Sequence, residues 1–221
     1  YMERVMANIS GTGNNDILLG TTLDDFINGL GGNDTITASE GNDIIIGGLG
    51  ADTIFAGNGD DEIWGGGTEW VTGEVIDGGT GNNKLSTWGG DISVVTISNV
   101  QTLGTHLNKL SLKSSQLAAF SALIAYDGPL MLQATEAGTY SLQGKNVTGV
   151  FSITGASGND YLAGNSAAQT LGGGGSNELS QGLGRADALA CGNAAEHYSA
   201  DSPGPPAGED TLGGRGPPRA T

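Results

Sequence analysis

The sequence predicts an all-β protein, built as a right-handed parallel β-roll or β-solenoid with a disordered C-terminal tail. Three observations predict this class: aspartates recur every nine residues, an aliphatic residue follows each at a fixed distance, and 41 of the 221 residues are Gly. Glycine at this density disfavours helices, because each helical Gly costs about 1 kcal/mol relative to Ala. The glycines have no three-residue period, which excludes a collagen-like chain.

The nine-residue period holds without exception over six repeats. Each repeat has an Asp and, two positions later, an Ile or a Leu. The aspartates are Asp16, Asp25, Asp34, Asp43, Asp52 and Asp61, and the aliphatic residues are Leu18, Ile27, Ile36, Ile45, Ile54 and Ile63. One apolar residue in nine cannot form a helix face or a conventional strand. A three-residue strand, in contrast, needs only its central side chain inside.

The most regular repeat, residues 47–55, reads Gly-Gly-Leu-Gly-Ala-Asp-Thr-Ile-Phe. It resembles the RTX, or haemolysin-type, calcium-binding nonapeptide Gly-Gly-x-Gly-x-Asp-x-aliphatic-x. The resemblance is strong over residues 11–64 and weaker over residues 69–86 and 155–180. It implies a parallel β-roll in which six residues form a turn, three form a short strand, and two repeats make one coil.

Two repeats per coil would stack residues that are eighteen apart. Asp16, Asp34 and Asp52 would then line one edge, and Asp25, Asp43 and Asp61 the other. Stacked strands lie about 4.8 Å apart, where two carboxylates repel by roughly 1 kcal/mol in water and by about 3–4 kcal/mol at an effective dielectric near 20. Divalent cations remove this repulsion, and oxygen ligands without His or Cys favour Ca²⁺. We therefore expect several Ca²⁺ ions, whose binding supplies folding free energy.

The quality of the glycine turns predicts which sites are strongest. We expect the best sites between the turns of Asp34 and Asp52 and between those of Asp43 and Asp61, although Leu30 replaces one turn glycine before Asp34. Sites that involve Asp16 and Asp25 should be weaker. The resemblance implies carbonyl co-ligands from Gly32, Gly41, Gly48, Gly50, Gly57 and Gly59. The alternative is an acidic glycine-rich linker without specific sites, and the strict register of Asp and aliphatic residues disfavours it.

Composition divides the chain into five segments. Residues 1–10 lead into a calcium-binding β-roll over residues 11–86, which is degenerate after residue 65. There a four-residue insertion precedes Glu74 and the uncharged Asn83, and Trp64 and Trp70 are expected to cover the end of the roll. Residues 87–154 carry few charges and short apolar runs, which predicts a β-solenoid with larger coils.

Two segments remain beyond the solenoid. Residues 155–181 form a second, incomplete block, in which Asp160 has no stacked partner and strong binding is not expected. Residues 182–221 contain five of the six prolines and are predicted to be disordered. A frameshifted or truncated end is a hypothesis that would explain the abrupt change of composition.

Charge and missing motifs exclude several classes of function. The net charge of −16 argues against nucleic acid and anionic membranes as partners. No apolar run is long enough for a membrane span, and a lone Cys191 excludes an internal disulfide. The chain lacks His-Glu-x-x-His and Gly-x-Ser-x-Gly motifs, so we expect no catalytic site.

These observations favour a structural or adhesin-like calcium-binding module of a secreted or cell-surface bacterial protein. The resemblance also implies contact with type I secretion machinery and with cell-surface polymers, and the oligomeric state stays open. One alternative is a repeat-containing fragment of an exported enzyme or toxin (protease, lipase or haemolysin) with its catalytic domain elsewhere. Another is a polysaccharide-binding solenoid that uses Trp64, Trp70 and Trp88.

Overall fold

The computed structural model describes residues 6–66, 68–149, 151–183, 187–190, 197–199 and 211–213. It divides into two compact units, residues 1–106 and residues 107–221. Short parallel strands make up almost all of the regular structure in both units. This confirms the predicted all-β solenoid class.

The first unit is a parallel solenoid whose successive repeats alternate between two sheets. One sheet has the strand order β1-β3-β5-β7-β9-β12, and the other has β2-β4-β6-β8-β11. A short 3-10 helix spans Ile92–Val94. The strands are β1 (Ala7–Ser10), β2 (Ile17–Leu19), β3 (Asp25–Asn28), β4 (Thr35–Glu40), β5 (Ile44–Ile46), β6 (Thr53–Asn58), β7 (Glu62–Gly65), β8 (Val75–Asp77), β9 (Lys84–Thr87), β10 (Gly90–Asp91), β11 (Thr96–Ser98) and β12 (Thr102–Thr105).

The strand register confirms that two repeats make one coil. Ile27 pairs with Ile9 on one side and with Ile45 on the other, a separation of eighteen residues each time. Ile27, Ile36, Ile45 and Ile63 are fully buried. Each buried aliphatic side chain contributes about 1.5–3 kcal/mol, so this ladder is the main apolar core of the unit.

The predicted four-residue insertion also appears in the register. Strand β6 pairs with β8 through Ile54 and Ile76, and β7 pairs with β9 through Ile63 and Leu85, both with a separation of 22 residues. Four extra residues are thus accommodated outside the strands. Because β8 and β9 continue both sheets, the roll does not end at residue 65.

Trp70 lies in this longer coil rather than over an open end of the roll. Its ring packs against Gly65, where an added Cβ would meet the ring at 2.5 Å. Its indole Nε1 donates to Thr87 Oγ1 at 3.1 Å and to the Gly89 carbonyl at 3.2 Å. The expectation that Trp70 covers the end of the roll is therefore wrong, because the following strands extend the stack beyond it.

The second unit is also a parallel solenoid. Its described strands form the ladders β13-β15-β18-β20-β22-β24, β16-β19-β21-β23 and β14-β17. A six-residue helix, α1 (Ser114–Ala119), precedes β14. The strands are β13 (Lys109–Leu112), β14 (Ala122–Ala125), β15 (Leu130–Ala134), β16 (Thr139–Ser141), β17 (Asn146–Thr148), β18 (Phe151–Thr154), β19 (Tyr161–Ala163), β20 (Thr170–Gly172), β21 (Leu179–Gln181), β22 (Ala188–Ala190), β23 (His197–Ser199) and β24 (Thr211–Gly213).

Coil length changes along the second unit. The first pairs are separated by 22 residues between Lys109 and Met131 and by 24 between Ala122 and Asn146. The separation is eighteen between Ser152 and Thr170 and between Thr170 and Ala188, and it is 23 between Ala188 and Thr211. The larger coils expected over residues 87–154 are thus present in the part that belongs to this unit.

Both strand ladders continue beyond residue 182, where the sequence predicts the start of a disordered tail. Leu171 pairs with Leu189, and Leu189 pairs with Leu212, so β22 and β24 extend the same ladder. Strand β23 extends the other ladder from β21. The boundary at residue 182 is therefore too early for these three strands. The remainder of the predicted tail lies outside the described residues.

Leu30 and Ser39 adopt a backbone conformation that favours glycine. Leu30 has φ 75° and Ser39 has φ 91°, and the residues one coil later are Gly48 and Gly57, with φ 103° and 110°. A side chain in the left-handed region costs roughly 1–2 kcal/mol. Both repeats therefore retain strain where the family pattern has Gly.

We expect Leu30→Gly to raise the free energy of unfolding by about 1 kcal/mol, because it removes this strain. Denaturant unfolding in saturating calcium measures the change. Leu49→Gly is the matched control, because Leu49 is similarly exposed and is not among the residues with positive φ. The control should lower the free energy of unfolding by about 0.5–1 kcal/mol. Equal losses in the two variants would contradict the argument.

Candidate metal sites

The first column of aspartates runs along one edge of the first unit, as the period predicts. Asp34 Oδ1 accepts a hydrogen bond from the backbone N–H of Asp16, and Asp52 Oδ1 accepts one from that of Asp34, both at 2.8 Å. Each carboxylate thus uses one oxygen to connect its own coil to the preceding one. We call Asp16, Asp34 and Asp52 the first column.

The second column repeats this pattern with Asp25, Asp43 and Asp61. Asp43 Oδ1 accepts from the backbone N–H of Asp25 at 2.7 Å, and Asp61 Oδ1 accepts from that of Asp43 at 2.9 Å. Asp25, Asp43 and Asp61 are at most 1% exposed. The structure therefore brings the six predicted aspartates together as two columns of three.

The second carboxylate oxygen separates the six residues into two groups. Oδ2 of Asp34, Asp43, Asp52 and Asp61 is buried and has no hydrogen-bond partner within the described part of the chain. Burying a charged oxygen without a partner is strongly unfavourable. These four atoms are therefore candidate ligands for a cation.

Asp16 and Asp25 differ because nearby threonines satisfy them. Asp16 Oδ2 accepts from the backbone N–H of Thr12 at 2.6 Å and from its hydroxyl at 2.8 Å. The backbone N–H of Thr21 donates to Asp25 Oδ2 at 2.6 Å, and the Thr21 hydroxyl donates to Oδ1. Their carboxylates have less need of a cation than those of the other four.

A carbonyl oxygen lies close to the unpaired carboxylate oxygen in the best-defined example. A Cβ added to Gly29 would lie 2.4 Å from Asp34 Oδ2 and 2.3 Å from the Gly47 carbonyl oxygen. Two acceptors thus border the same small space, and neither can donate to the other. A cation would satisfy both oxygens.

A small residue of each repeat stands at this space. Gly or Ala stands five positions before every aspartate of the two columns, at Gly11, Gly20, Gly29, Ala38, Gly47 and Ala56. At Gly47, an added Cβ would lie 2.5 Å from Asp52 Oδ2. This position is the first glycine of the pattern Gly-Gly-x-Gly-x-Asp, and two of the six repeats have Ala there.

The six glycines expected as carbonyl co-ligands all have positive φ, between 103° and 143°. Successive turns pack closely there: an added Cβ at Gly50 would lie only 1.9 Å from the Gly32 carbonyl oxygen. The Gly57 carbonyl accepts a hydrogen bond from the Thr80 N–H at 2.8 Å. Gly50 therefore leaves no room for a side chain, and the role of the six carbonyls as ligands stays a prediction.

The donor set fits a hard cation. Among the residues that the structure describes, no three His, Cys, Asp or Glu side chains converge into a metal-binding group. Backbone oxygens would therefore have to complete any site in the columns. Ca²⁺ accepts mixtures of carboxylate and carbonyl oxygens in flexible geometry, whereas Zn²⁺ favours His and Cys.

Burial disfavours the ionised form of three aspartates in the columns, Asp43, Asp52 and Asp61. Burial raises the pKa of Asp43 to about 7, and the charges of Asp61, Asp25 and Asp24 add to this, against the opposing hydrogen bond from the Asp25 N–H. Burial likewise raises the pKa of Asp52 and of Asp61. The carboxylates therefore need protons or cations in the folded state.

Glu74 lies in the coil that follows Asp52. Burial raises its pKa to about 8, and the charges of Asp52 and Glu69 add to the effect, although the Val71 N–H opposes it. Glu74 is 3% exposed. The first column therefore continues into the degenerate repeat with a buried acid.

The second unit contains buried acids that the sequence analysis did not identify. Asp160 Oδ1 accepts from the Gly138 N–H at 2.7 Å, and its Oδ2 accepts from the Ala156 N–H at 2.8 Å. Glu178 lies in the next coil, where Tyr161 pairs with Leu179. The expectation that Asp160 has no stacked partner is therefore wrong, because Glu occupies the register position where only Asp was sought.

Asp187 is the other buried acid of this unit, 1% exposed. Its Oδ1 accepts from the Gln169 N–H at 2.7 Å, and an added Cβ at Gly182 would lie 2.4 Å from its Oδ2. The relation to a glycine five residues earlier is the one seen at Asp34. Counting nine residues from Asp160 without regard to residue type would have found Gln169, Glu178 and Asp187.

The three tryptophans do not form one platform. Trp64 and Trp88 are 5.3 Å apart between ring centroids, and Trp88 stacks on His106 at 5.4 Å. Trp70 is only 8% exposed, and its indole N–H is bonded to Thr87 and Gly89. The alternative that uses all three tryptophans for polysaccharide binding is therefore wrong for Trp70.

No helix within the described residues is both long enough and apolar enough to span a bilayer. A search of curated proteins and a search of solved structures each give no match.

A comparison with protein-family models matches the RTX calcium-binding nonapeptide repeat in four segments. They cover residues 10–45, 37–68, 72–91 and 152–168. The first three coincide with the two aspartate columns and their degenerate continuation, and the fourth contains Asp160. These segments are therefore similar to the RTX calcium-binding nonapeptide repeat, and three of the four lie between residues 10 and 91.

Proposed function

We propose that the first unit binds several Ca²⁺ ions along its two aspartate columns and that this binding drives its folding. The observation that carries the proposal is the buried, unpaired Oδ2 atom of Asp34, Asp43, Asp52 and Asp61. Since Gly47 adds a carbonyl oxygen beside Asp34, the folded turn presents acceptors without donors. Each bound cation would remove the penalty of burying these unpaired oxygens, and its binding free energy would add to the free energy of folding.

The pairs Asp34–Asp52 and Asp43–Asp61 are proposed as the strongest sites. Carbonyls of Gly32, Gly41, Gly48, Gly50, Gly57 and Gly59 are proposed as co-ligands, and their positive φ supports this assignment. Asp16 and Asp25 are proposed as weaker ligands, because Thr12 and Thr21 already donate to them.

We further propose a structural, non-catalytic role in a secreted or cell-surface bacterial protein. Calcium is scarce inside cells and abundant outside, so a chain with these columns would stay unfolded until export. Type I secretion and contact with cell-surface polymers belong to this proposal and rest on the family resemblance. At a free calcium concentration of 100 times Kd, each site would add about 2.7 kcal/mol of stability.

A calcium titration followed by circular dichroism tests this proposal. We expect the β signal to rise as calcium is added and to fall when EGTA removes it, because the columns repel without cations. Magnesium at the same concentration is the control, and it should be less effective because it requires stricter octahedral geometry. A β signal that is equal in EGTA and in calcium would contradict the proposal.

Substitution within one repeat tests which aspartates are ligands. Asp52→Ala should lower calcium affinity by at least about tenfold, since it removes a charged ligand worth more than about 1.4 kcal/mol. Asp60→Ala is the control, because Asp60 is exposed and contacts Asn82 on the surface of the turn. Isothermal titration calorimetry measures both affinities. Similar losses in the two variants would show that the proposed register of ligands is incorrect.

The raised pKa values predict opposite pH dependences with and without calcium. In the unfolded chain, carboxyl groups have a pKa near 4. In the folded chain, the pKa is about 7 for Asp43 and about 8 for Glu74. Between these pH values the two side chains are deprotonated in the unfolded chain and still protonated in the folded one. The stability of the metal-free fold therefore falls as pH rises through this window. Ca²⁺ binds the deprotonated form, so the gain on adding calcium should grow with pH.

Circular dichroism in Chelex-treated buffer measures this effect. The metal-free β signal should be larger at pH 5 than at pH 8, and calcium should increase it more at pH 8. Glu62 and Asp77 have lowered pKa values, through hydrogen bonds from Lys84 and Asn99 that outweigh burial. They titrate below this window and leave the sign unchanged. A metal-free signal that rises from pH 5 to pH 8 would contradict the prediction.

A further inference from the structure

We propose that Asn83 is a built-in substitute for a calcium ion, whose side-chain amide closes the second column without metal. The inference rests on the proposed function of the columns and concerns where the calcium sites end. Asn83 follows Asp61 in the second column and is fully buried. Its Oδ1 accepts from the Asp61 N–H at 3.0 Å, just as Asp61 Oδ1 accepts from Asp43.

The other side-chain atom of Asn83 distinguishes it from the aspartates. Nδ2 donates to the Gly78 carbonyl at 2.7 Å and to the Asn99 carbonyl at 3.0 Å. An amide has two N–H donors, and both are used here. Because Oδ1 faces an N–H and Nδ2 faces two carbonyls, only this orientation of the amide satisfies every group.

The amide nitrogen occupies the position of an unpaired carboxylate oxygen. An added Cβ at Gly78 would lie 2.3 Å from the Asn99 carbonyl oxygen and 2.8 Å from Asn83 Nδ2. The corresponding point at Gly29 lies beside the Gly47 carbonyl oxygen and Asp34 Oδ2. At Asp34 this space is bordered by two hydrogen-bond acceptors, Oδ2 and the Gly47 carbonyl oxygen. At Asn83 the equivalent space is bordered by a donor, Nδ2, and by its acceptor, the Asn99 carbonyl oxygen.

This substitution removes both reasons for a cation. The carbonyls of Gly78 and Asn99 receive hydrogen bonds from a neutral group, and no carboxylate is added to the charge of Asp61. The column continues with another amide, since Gln101 Oε1 accepts from the Asn83 N–H at 2.7 Å. Calcium sites in this column therefore end at Asp61, and the Asn83 coil provides a metal-independent end on which the calcium-dependent coils stack.

Asn83→Asp tests the inference by removing the donor. The variant should bind one more Ca²⁺ per molecule and should need several-fold more calcium for its half-maximal β signal. Asn82→Asp is the matched control: it adds the same charge one residue earlier, on an exposed side chain that contacts Asp60. Stoichiometry is measured by equilibrium dialysis with calcium alone. An Asn83→Asp variant that behaves as Asn82→Asp does would overturn the inference.

The reciprocal change keeps the test decisive if Asn83→Asp does not fold. Asp34→Asn places an amide beside the Gly47 carbonyl, so it should bind one Ca²⁺ fewer and reach its half-maximal β signal at lower calcium than the wild type. Asp34→Ala, which provides no donor, should lose the ion and need more calcium. If both variants need more calcium than the wild type for their half-maximal β signal, and by the same factor, the inference fails.

The design separates this inference from the proposed function. Wild-type protein that binds no calcium would refute the proposed function. The comparison of Asp34→Asn with Asp34→Ala in calcium-free buffer would still test whether an amide can replace a cation at this position. Wild-type protein that binds calcium, with variants that do not differ from their controls, would refute the inference alone.

Discussion

The first unit depends on how it satisfies a surplus of oxygen acceptors at its turns. At Asp34 a carboxylate oxygen lies beside a backbone carbonyl, and a Cβ added at Gly29 would be too large for the space between them. One aliphatic residue per repeat gives only a narrow apolar core. Backbone donors from the preceding coil satisfy one carboxylate oxygen of each buried aspartate, and the other oxygen determines what else the fold requires.

The chain uses three different solutions to this one requirement. Threonines donate to Asp16 and Asp25 at the first two repeats. The four central aspartates retain an unpaired oxygen, and the family match of this segment to calcium-binding repeats supports a cation there. At Asn83 an amide supplies the donors. These solutions follow one another along the unit, so the unpaired carboxylate oxygens are concentrated in its middle.

Much of the fold could be predicted from the sequence because the period itself is the physical cause of the structure. An aliphatic residue at each ninth position suffices to stack Ile27 on Ile45 and Ile36 on Ile54, and the insertion before Glu74 changes the register by its own length. The positions of the six aspartates followed from the same count. The buried Glu178 was missed because the count considered only Asp, whereas burial depends on register and tolerates Glu. Asp187 was missed because it lies beyond residue 182, where a disordered tail was predicted.

The remaining features depend on contacts that a period cannot specify. Whether Thr12 satisfies Asp16, or whether the Asn83 amide faces two carbonyls, is decided by side-chain direction over distances of about 3 Å. Trp70 was expected over an exposed end, but the packing of its ring on Gly65 depends on the path of the longer coil. The left-handed φ of Leu30 shows that the turn geometry is imposed by neighbouring coils even where the residue opposes it.

The isoleucine ladder has one consequence for assembly of the coils. Ile36 and Ile54 are identical side chains at equivalent depths, as are Ile27, Ile45 and Ile63, so a strand displaced by one whole coil would meet the same partner as in the native alignment. Apolar packing alone therefore cannot distinguish the native alignment from a slipped one. The insertion before Glu74 and the amide of Asn83 interrupt the uniform series of coils, so a displacement by one coil would place them against the wrong neighbours.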